Sequence, residues 1–193
     1  MTVVIAALLL VAIASCRDTS KSAEQSTQVA QSEAVTQQAA KDLLPAAPSS
    51  PVLDMVGVLS DEGLKEITEK TIELDSLKLA QVAVVIIDDL KGMKAINYAT
   101  ALGNKWGVGH KDTNDGITIV VKPKTDDAKG EAAIATGKGM EKILTNEVCQ
   151  LIIDQEMIPE FKKNDYGKAI EEALDKIKEI LALQDESKLE ILD

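Results

Sequence analysis

Ile117-Thr118-Ile119-Val120-Val121, followed after a polar loop by Glu131-Ala132-Ala133-Ile134-Ala135, is the stretch on which the fold turns. The first run is apolar and β-branched, as a buried strand is, and the second reads as its partner, joined to it through Pro123 to Gly130. A hairpin sets the start of one strand beside the end of the other. It therefore brings together the two turns that flank it. These are Trp106-Gly107-Val108-Gly109-His110-Lys111-Asp112-Thr113-Asn114-Asp115-Gly116 and Thr136-Gly137-Lys138-Gly139.

Upstream, Ala80 to Ile87 is a second continuous apolar run, expected of a strand buried on both faces. A helix is expected before it, capped by Ser60, with Asp61 and Glu62 at its positive end and Leu64, Ile67, Thr71, Leu74 and Leu77 as its apolar stripe. Residues 93–106 read as another amphipathic helix. Downstream, a long helix is expected over 140–156, with Leu144, Val148, Leu151 and Ile152 inward, interrupted by Pro159. A last helix over 166–183 carries Ile170, Leu174, Ile177 and Ile180 at helical spacing. This order of elements implies an α/β fold, a three-layer α/β/α sandwich with a mixed central β-sheet.

Topology then places the acids. A right-handed crossover between the 80–87 and 117–121 strands makes them parallel and sends Asp88-Asp89 to the end opposite Asn114-Asp115. If residues 52–59 are extended, they carry Asp54 across the domain to the Asn114 end. One edge would then gather Asp54, Asp112, Asn114, Asp115, the Thr136-Gly137 backbone and Glu141. Oxygen donors in glycine-bearing loops suit Ca²⁺ or Mg²⁺. The same residues also suit a plain turn, in which Asn and Asp satisfy local backbone groups.

Other chemistries find less support. The chain has a single histidine, His110, and two cysteines, which excludes the usual zinc and iron ligand sets. His110 reads either as a solvated surface residue or as a general base. Ser60, Ser76 and Ser187 are not near a nucleophile elbow, so hydrolysis would have to be metal-assisted or carboxylate-driven. The run from Asp112 to Gly116 lacks the twelfth-position Glu and flanking helix of an EF-hand, and Thr136 to Gly139 is not a P-loop. Cys149 lies in an apolar helical run and reads as a small core residue, and Trp106 as a packing anchor.

The chain of 193 residues changes composition sharply near Val52. Residues 1–15 read as a signal peptide, in which 3–14 are apolar and too short to span a bilayer as a mature helix. Ile13-Ala14-Ser15-Cys16 resembles the lipobox of a bacterial lipoprotein signal, with Cys16 the residue that receives lipid. An ordinary secretory signal or a chance cysteine is the alternative, and no Lys or Arg precedes the apolar run. Residues 16–51, rich in Ser, Thr, Gln, Ala and Glu and closed by Pro45, Pro48 and Pro51, read as a disordered tether. A frayed alanine-rich helix over 22–44 is the other reading. A domain over 52–183 and a tail over 184–193 complete the chain. The net charge of -11 falls entirely after the signal and argues against nucleic-acid partners.

The ordered motifs Val52-Leu53-Asp54, Gly57-Val58-Leu59-Ser60, Gln81-Val82-Ala83-Val84-Val85, Trp106-Gly107-Val108-Gly109, Asn114-Asp115-Gly116, Thr136-Gly137-Lys138-Gly139-Met140-Glu141 and Pro159-Glu160-Phe161 with Tyr166 resemble the TPM domain family, also called the TPM phosphatase domain. That family includes thylakoid-lumen and photosystem-repair proteins and many exported bacterial proteins. The resemblance implies an α/β/α sandwich, divalent-cation binding and, from plant members, acid phosphatase activity. Asp115 stands where the family usually has a second Asn, and Met140 where Leu is usual. The resulting expectation is a lipid-anchored, extracytoplasmic envelope protein, periplasmic or on the outer-membrane side. It would bind Ca²⁺ or Mg²⁺ through Asp54, Asp112, Asn114, Asp115 and Glu141 and engage an envelope protein partner. The alternative is a metal-assisted acid phosphatase.

Overall fold

A computed structural model describes residues 43–190. Four strands, β1 (Val52–Asp54), β2 (Gln81–Ile86), β3 (Gly116–Lys122) and β4 (Glu131–Thr136), form one sheet in the order β1-β2-β3-β4. The first three are parallel, and β4 returns antiparallel to β3, so the sheet is mixed. Helices α1 (Asp61–Ser76) and α2 (Ala95–Trp106) connect the parallel strands. After β4 come α3 (Asn146–Ile152), a π-helical turn (Ile153–Met157), α4 (Ile158–Phe161) and α5 (Tyr166–Glu190).

The alternation of side chains along β2 and β3 explains their unbroken apolar character. Val82, Val84, Ile86, Ile117, Ile119 and Val121 pack on one side with Ile67 and Leu74 of α1 and Ile170, Leu174 and Ile177 of α5. Val85, Val120, Ala133 and Ala135 pack on the other with Tyr98, Ala99 and Leu102 of α2. Both faces are dry, so no polar alternation is left in the sequence. The expected three layers are present.

Ser60 caps α1 as expected, its hydroxyl accepting from the Gly63 N–H. Leu64 and Leu77, expected inward, are exposed, and the stripe narrows to Ile67, Thr71 and Leu74. The expected 140–156 helix needs a larger correction. Residues 138–143 are turns, and α3 starts only after Thr145, whose hydroxyl accepts from the Val148 N–H. A capping hydroxyl fixes a helix start more firmly than an apolar residue upstream of it. The π-helical turn then precedes Pro159, with Ile158 N–H donating to the Ile153 carbonyl. Proline has no N–H and its ring crowds the carbonyl four residues back, so a widened turn lets the chain continue where a regular helix would break. With Cys149, Ile152, Ile153 and Met157 turned inward, Leu151 faces solvent.

The end of the segment read as a tether belongs to the folded part. Leu44 is buried against the α2 face, its carbonyl accepts from Lys105 Nζ at 2.7 Å, and the Pro45 carbonyl accepts from Trp106 Nε1 at 2.9 Å. Trp106 is an anchor, and what it anchors is this segment. At the other end α5 continues to Glu190, past the boundary expected at 183. The signal at 1–15, Cys16 and the tether over 16–42 lie outside the described residues, as do 191–193.

Candidate functional site

The two glycine-bearing turns do meet, at the edge where β3 starts and β4 ends. Gly137 N–H donates to the Gly116 carbonyl at 2.7 Å and Gly139 N–H to the Asn114 carbonyl at 3.0 Å. The backbones approach so closely that a Cβ on Gly116 would collide with the Val108 carbonyl, one on Gly137 with that of Asn114, and one on Gly139 with that of Thr113. The glycines are there because two loops share the space of one.

Asp115 organises the first turn. The residue is 5% exposed, and its carboxylate accepts from the His110 N–H at 2.7 Å, while His110 Nδ1 lies 3.1 and 3.2 Å from its two oxygens. Burial by itself would raise this carboxyl, but the His110 N–H, the Thr113 hydroxyl and the imidazole outweigh it and hold the pKa below the usual range. Asn114 N–H closes the turn on the His110 carbonyl at 2.7 Å, with Asn114 at φ 52°. His110 itself is half-exposed, and its Nε2 lies 3.5 Å from Asp75 Oδ1 on α1. The imidazole therefore sits between a buried carboxylate and a half-exposed one, which neither sequence reading of His110 includes. The five-residue spacing across a closed turn was the available signal. The contribution of Asp75 depends on α1 packing and had none.

Asp54 is not at this edge. It pairs with Ile86 at the far end of β2, whereas Gln81, at the near end, pairs with Gly116. Five residues of strand separate the two positions, roughly 16 Å. The chain does not run extended to Leu59. Asp54 Oδ1 accepts from Val56 and Gly57 N–H, and Oδ2 from Leu59 N–H, all within 2.9 Å, which folds 55–59 back over the end of β1. Asp54 thus shares an end with Asp88 and Asp89, as the register requires. Asp89 is itself held by Lys91, whose side chain and N–H lower its pKa.

The donor set expected for a divalent cation does not close into one site. A carboxylate offers about four lone-pair positions, and three at Asp54 and most at Asp115 are taken by the protein's own N–H and O–H groups. Asp112, Asn114 and Glu141 are exposed on the shared edge. Among the described residues no group of three or more histidine, cysteine, aspartate or glutamate side chains could hold a metal ion. A cavity of about 270 Å³ touches this edge through Thr113, Asp115 and Gly139, but its wall is otherwise Lys78, Leu79 and Met140 with their neighbours.

A larger cleft, about 590 Å³, lies elsewhere, between the β3–β4 hairpin and the π-helical turn with α4. Sequence reading passed over it, because its residues come from separate elements joined only by packing. Cys149 is core, as expected. It is buried, and burial pushes its thiol up to about 11, which removes it as a nucleophile.

The TPM domain model matches residues 52–180. Among solved structures, the N-terminal domain of a protein from P. gingivalis superposes with a TM-score of 0.60 at 24% identity, over 69% of this chain and 82% of that one. The N-terminal domain of a Corynebacterium glutamicum protein superposes with a TM-score of 0.52 at 10% identity, over 70% of this chain and 82% of the other. At these identities the likeness concerns the fold. No curated protein matches the chain.

Proposed function

Because the chain belongs to the TPM domain family, we propose that it is a binding or assembly module on the outer side of a bacterial membrane, tethered through lipid on Cys16. The supporting observation is the state of the two carboxylates best placed for chemistry. Asp54 and Asp115 stand at opposite ends of the sheet, each engaged by the N–H groups of its own loop. Carboxylates spent in this way shape surfaces and leave little capacity to ligate or to transfer protons. Ca²⁺ or Mg²⁺ is therefore no part of the resident machinery in this reading. The tether is tested by labelled-palmitate incorporation during bacterial expression. Label in the wild type and none in Cys16→Ser is the expected result, and an unlabelled wild type overturns it.

One observation favours the phosphomonoesterase alternative. The imidazole of His110 is held at Nδ1 by a buried carboxylate, the arrangement that orients a general base. Its Nε2 faces Asp75, and no serine or cysteine nucleophile accompanies it in the sequence. Equal turnover of a generic phosphate ester by wild type and His110→Ala would dismiss it. A large loss in the variant would instead make His110 the base and overturn the binding-module reading.

A further inference from the structure

The cleft at the β3–β4 hairpin carries a charge pattern at odds with the rest of the chain. Its floor and walls are apolar, formed by Val121, Ile153, Ile158 and Phe161. Phe161 is braced by Tyr166, with ring centroids 5.3 Å apart, and the Tyr166 hydroxyl accepts from the Lys124 N–H at 3.2 Å. Its rim carries Lys122, Lys124 and Lys162 in a chain of net charge -11. Lys122 is matched by Glu131 across the hairpin at 3.4 Å, and among the described residues Glu131 is the one acidic residue lining the cleft. Lys124 and Lys162 are exposed residues, and neither forms an ion pair among the described residues. Two lysines without an ion pair beside an apolar trough suit an anionic ligand with an apolar body.

The sheet narrows the class of ligand. Among the described residues β4 is the last strand of the sheet and pairs only with β3, and its first residues, Glu131 and Ala132, line the cleft. An edge strand beside an apolar trough is the setting in which an extended peptide adds by main-chain hydrogen bonds and places alternate side chains in pockets. A lipid chain would be better served by a closed apolar channel than by a cleft that also presents Gln150 and Asn164.

We propose that this cleft docks an extended, acidic peptide segment of a partner protein, its apolar side chains against Ile158 and Phe161 and its carboxylates against Lys124 and Lys162. The proposal rests on the binding-module reading and gives it a partner chemistry. The test uses the full purified chain and a fluorescein-labelled acetylated heptapeptide alternating valine with glutamate. Controls are the same peptide with lysine for glutamate, one with a central proline, and oleate. Anisotropy should show saturable binding of the glutamate peptide. Binding should weaken about tenfold in the Lys124→Glu Lys162→Glu variant, whose changes are on the surface, and be lost with the lysine and proline peptides. Equal binding of both charge forms, no effect of the variant, or no saturable binding at millimolar peptide overturns the proposal. Competition by oleate but not by unlabelled glutamate peptide would give the cleft to a lipid and overturn it as well. The phosphate-ester assay on the same preparations keeps the two readings apart. Peptide failure with no His110-dependent turnover removes only the cleft, whereas turnover removes the binding-module reading itself.

Discussion

The loop edge at Asp115 and the loop at Asp54 use the same device, a carboxylate that gathers N–H groups from the turn that follows or precedes it, yet they are embedded very differently. Asp115 is buried beneath two interlocked glycine turns, in which Gly109, Gly116, Gly137 and Gly139 each have backbone in the space of a missing Cβ. Asp54 is half-buried in a turn whose Gly57, at φ +74°, has nothing within 4 Å of a Cβ position. One end of the sheet is closed by interlocked backbone, the other by a turn that local hydrogen bonds hold and whose Val58 and Leu59 rest on the core. A carboxylate in a glycine-bearing turn says little about chemistry until its surroundings show whether it is still free to act.

If packing closes the Asp115 end, the largest effect should come from Gly139→Ala. The new methyl meets the Thr113 carbonyl, a backbone atom that cannot rotate away, and stability should fall by about 3 kcal/mol in urea unfolding. Asp115→Ala comes next, at about 2 kcal/mol, because it removes a buried carboxylate and leaves the part-buried His110 N–H without its acceptor. Asp54→Ala should cost about 1 kcal/mol, since water can reach the N–H groups it releases. Gly57→Ala should be the mildest, about 0.5 to 1 kcal/mol from backbone strain without any clash. A Gly57→Ala loss equal to that of Gly139→Ala would break the contrast.

Acid sharpens the same comparison. The folded Asp115 pKa is depressed below its ordinary 3.8, so its contribution is present above that value and is lost as pH falls through the still lower folded pKa. The stability gap between wild type and Asp115→Asn should therefore be constant near neutrality and shrink below about pH 4. A gap that grew on acidification would reverse the assignment.

Much of this arrangement was readable from the residues. Continuous apolar runs gave β2 and β3 because both faces are covered, and the hairpin alone required the two glycine turns to meet. The position of Asp54 was also within reach. Ser60 starts a helix at the Asp88 end, and the short link from Asp54 to Ser60 cannot cross the domain if it folds back at Gly57. Reading 52–59 as extended lost that constraint. What was not readable depends on tertiary contact. Asp75 reaches His110 only through α1, Trp106 reaches Pro45 across 61 residues, and the lysine-rimmed cleft is assembled from a hairpin and a helix that share no motif.

The account stands on Asp54 and Asp115 acting separately, as two loop organisers and not as one cation site. A double-mutant cycle of Asp54→Ala and Asp115→Ala, measured by urea unfolding with and without Ca²⁺ on the order of millimolar, tests this directly. The two losses should add to within about 0.5 kcal/mol in both conditions. A coupling energy that appears when Ca²⁺ is added would contradict the account and place both carboxylates on one ion.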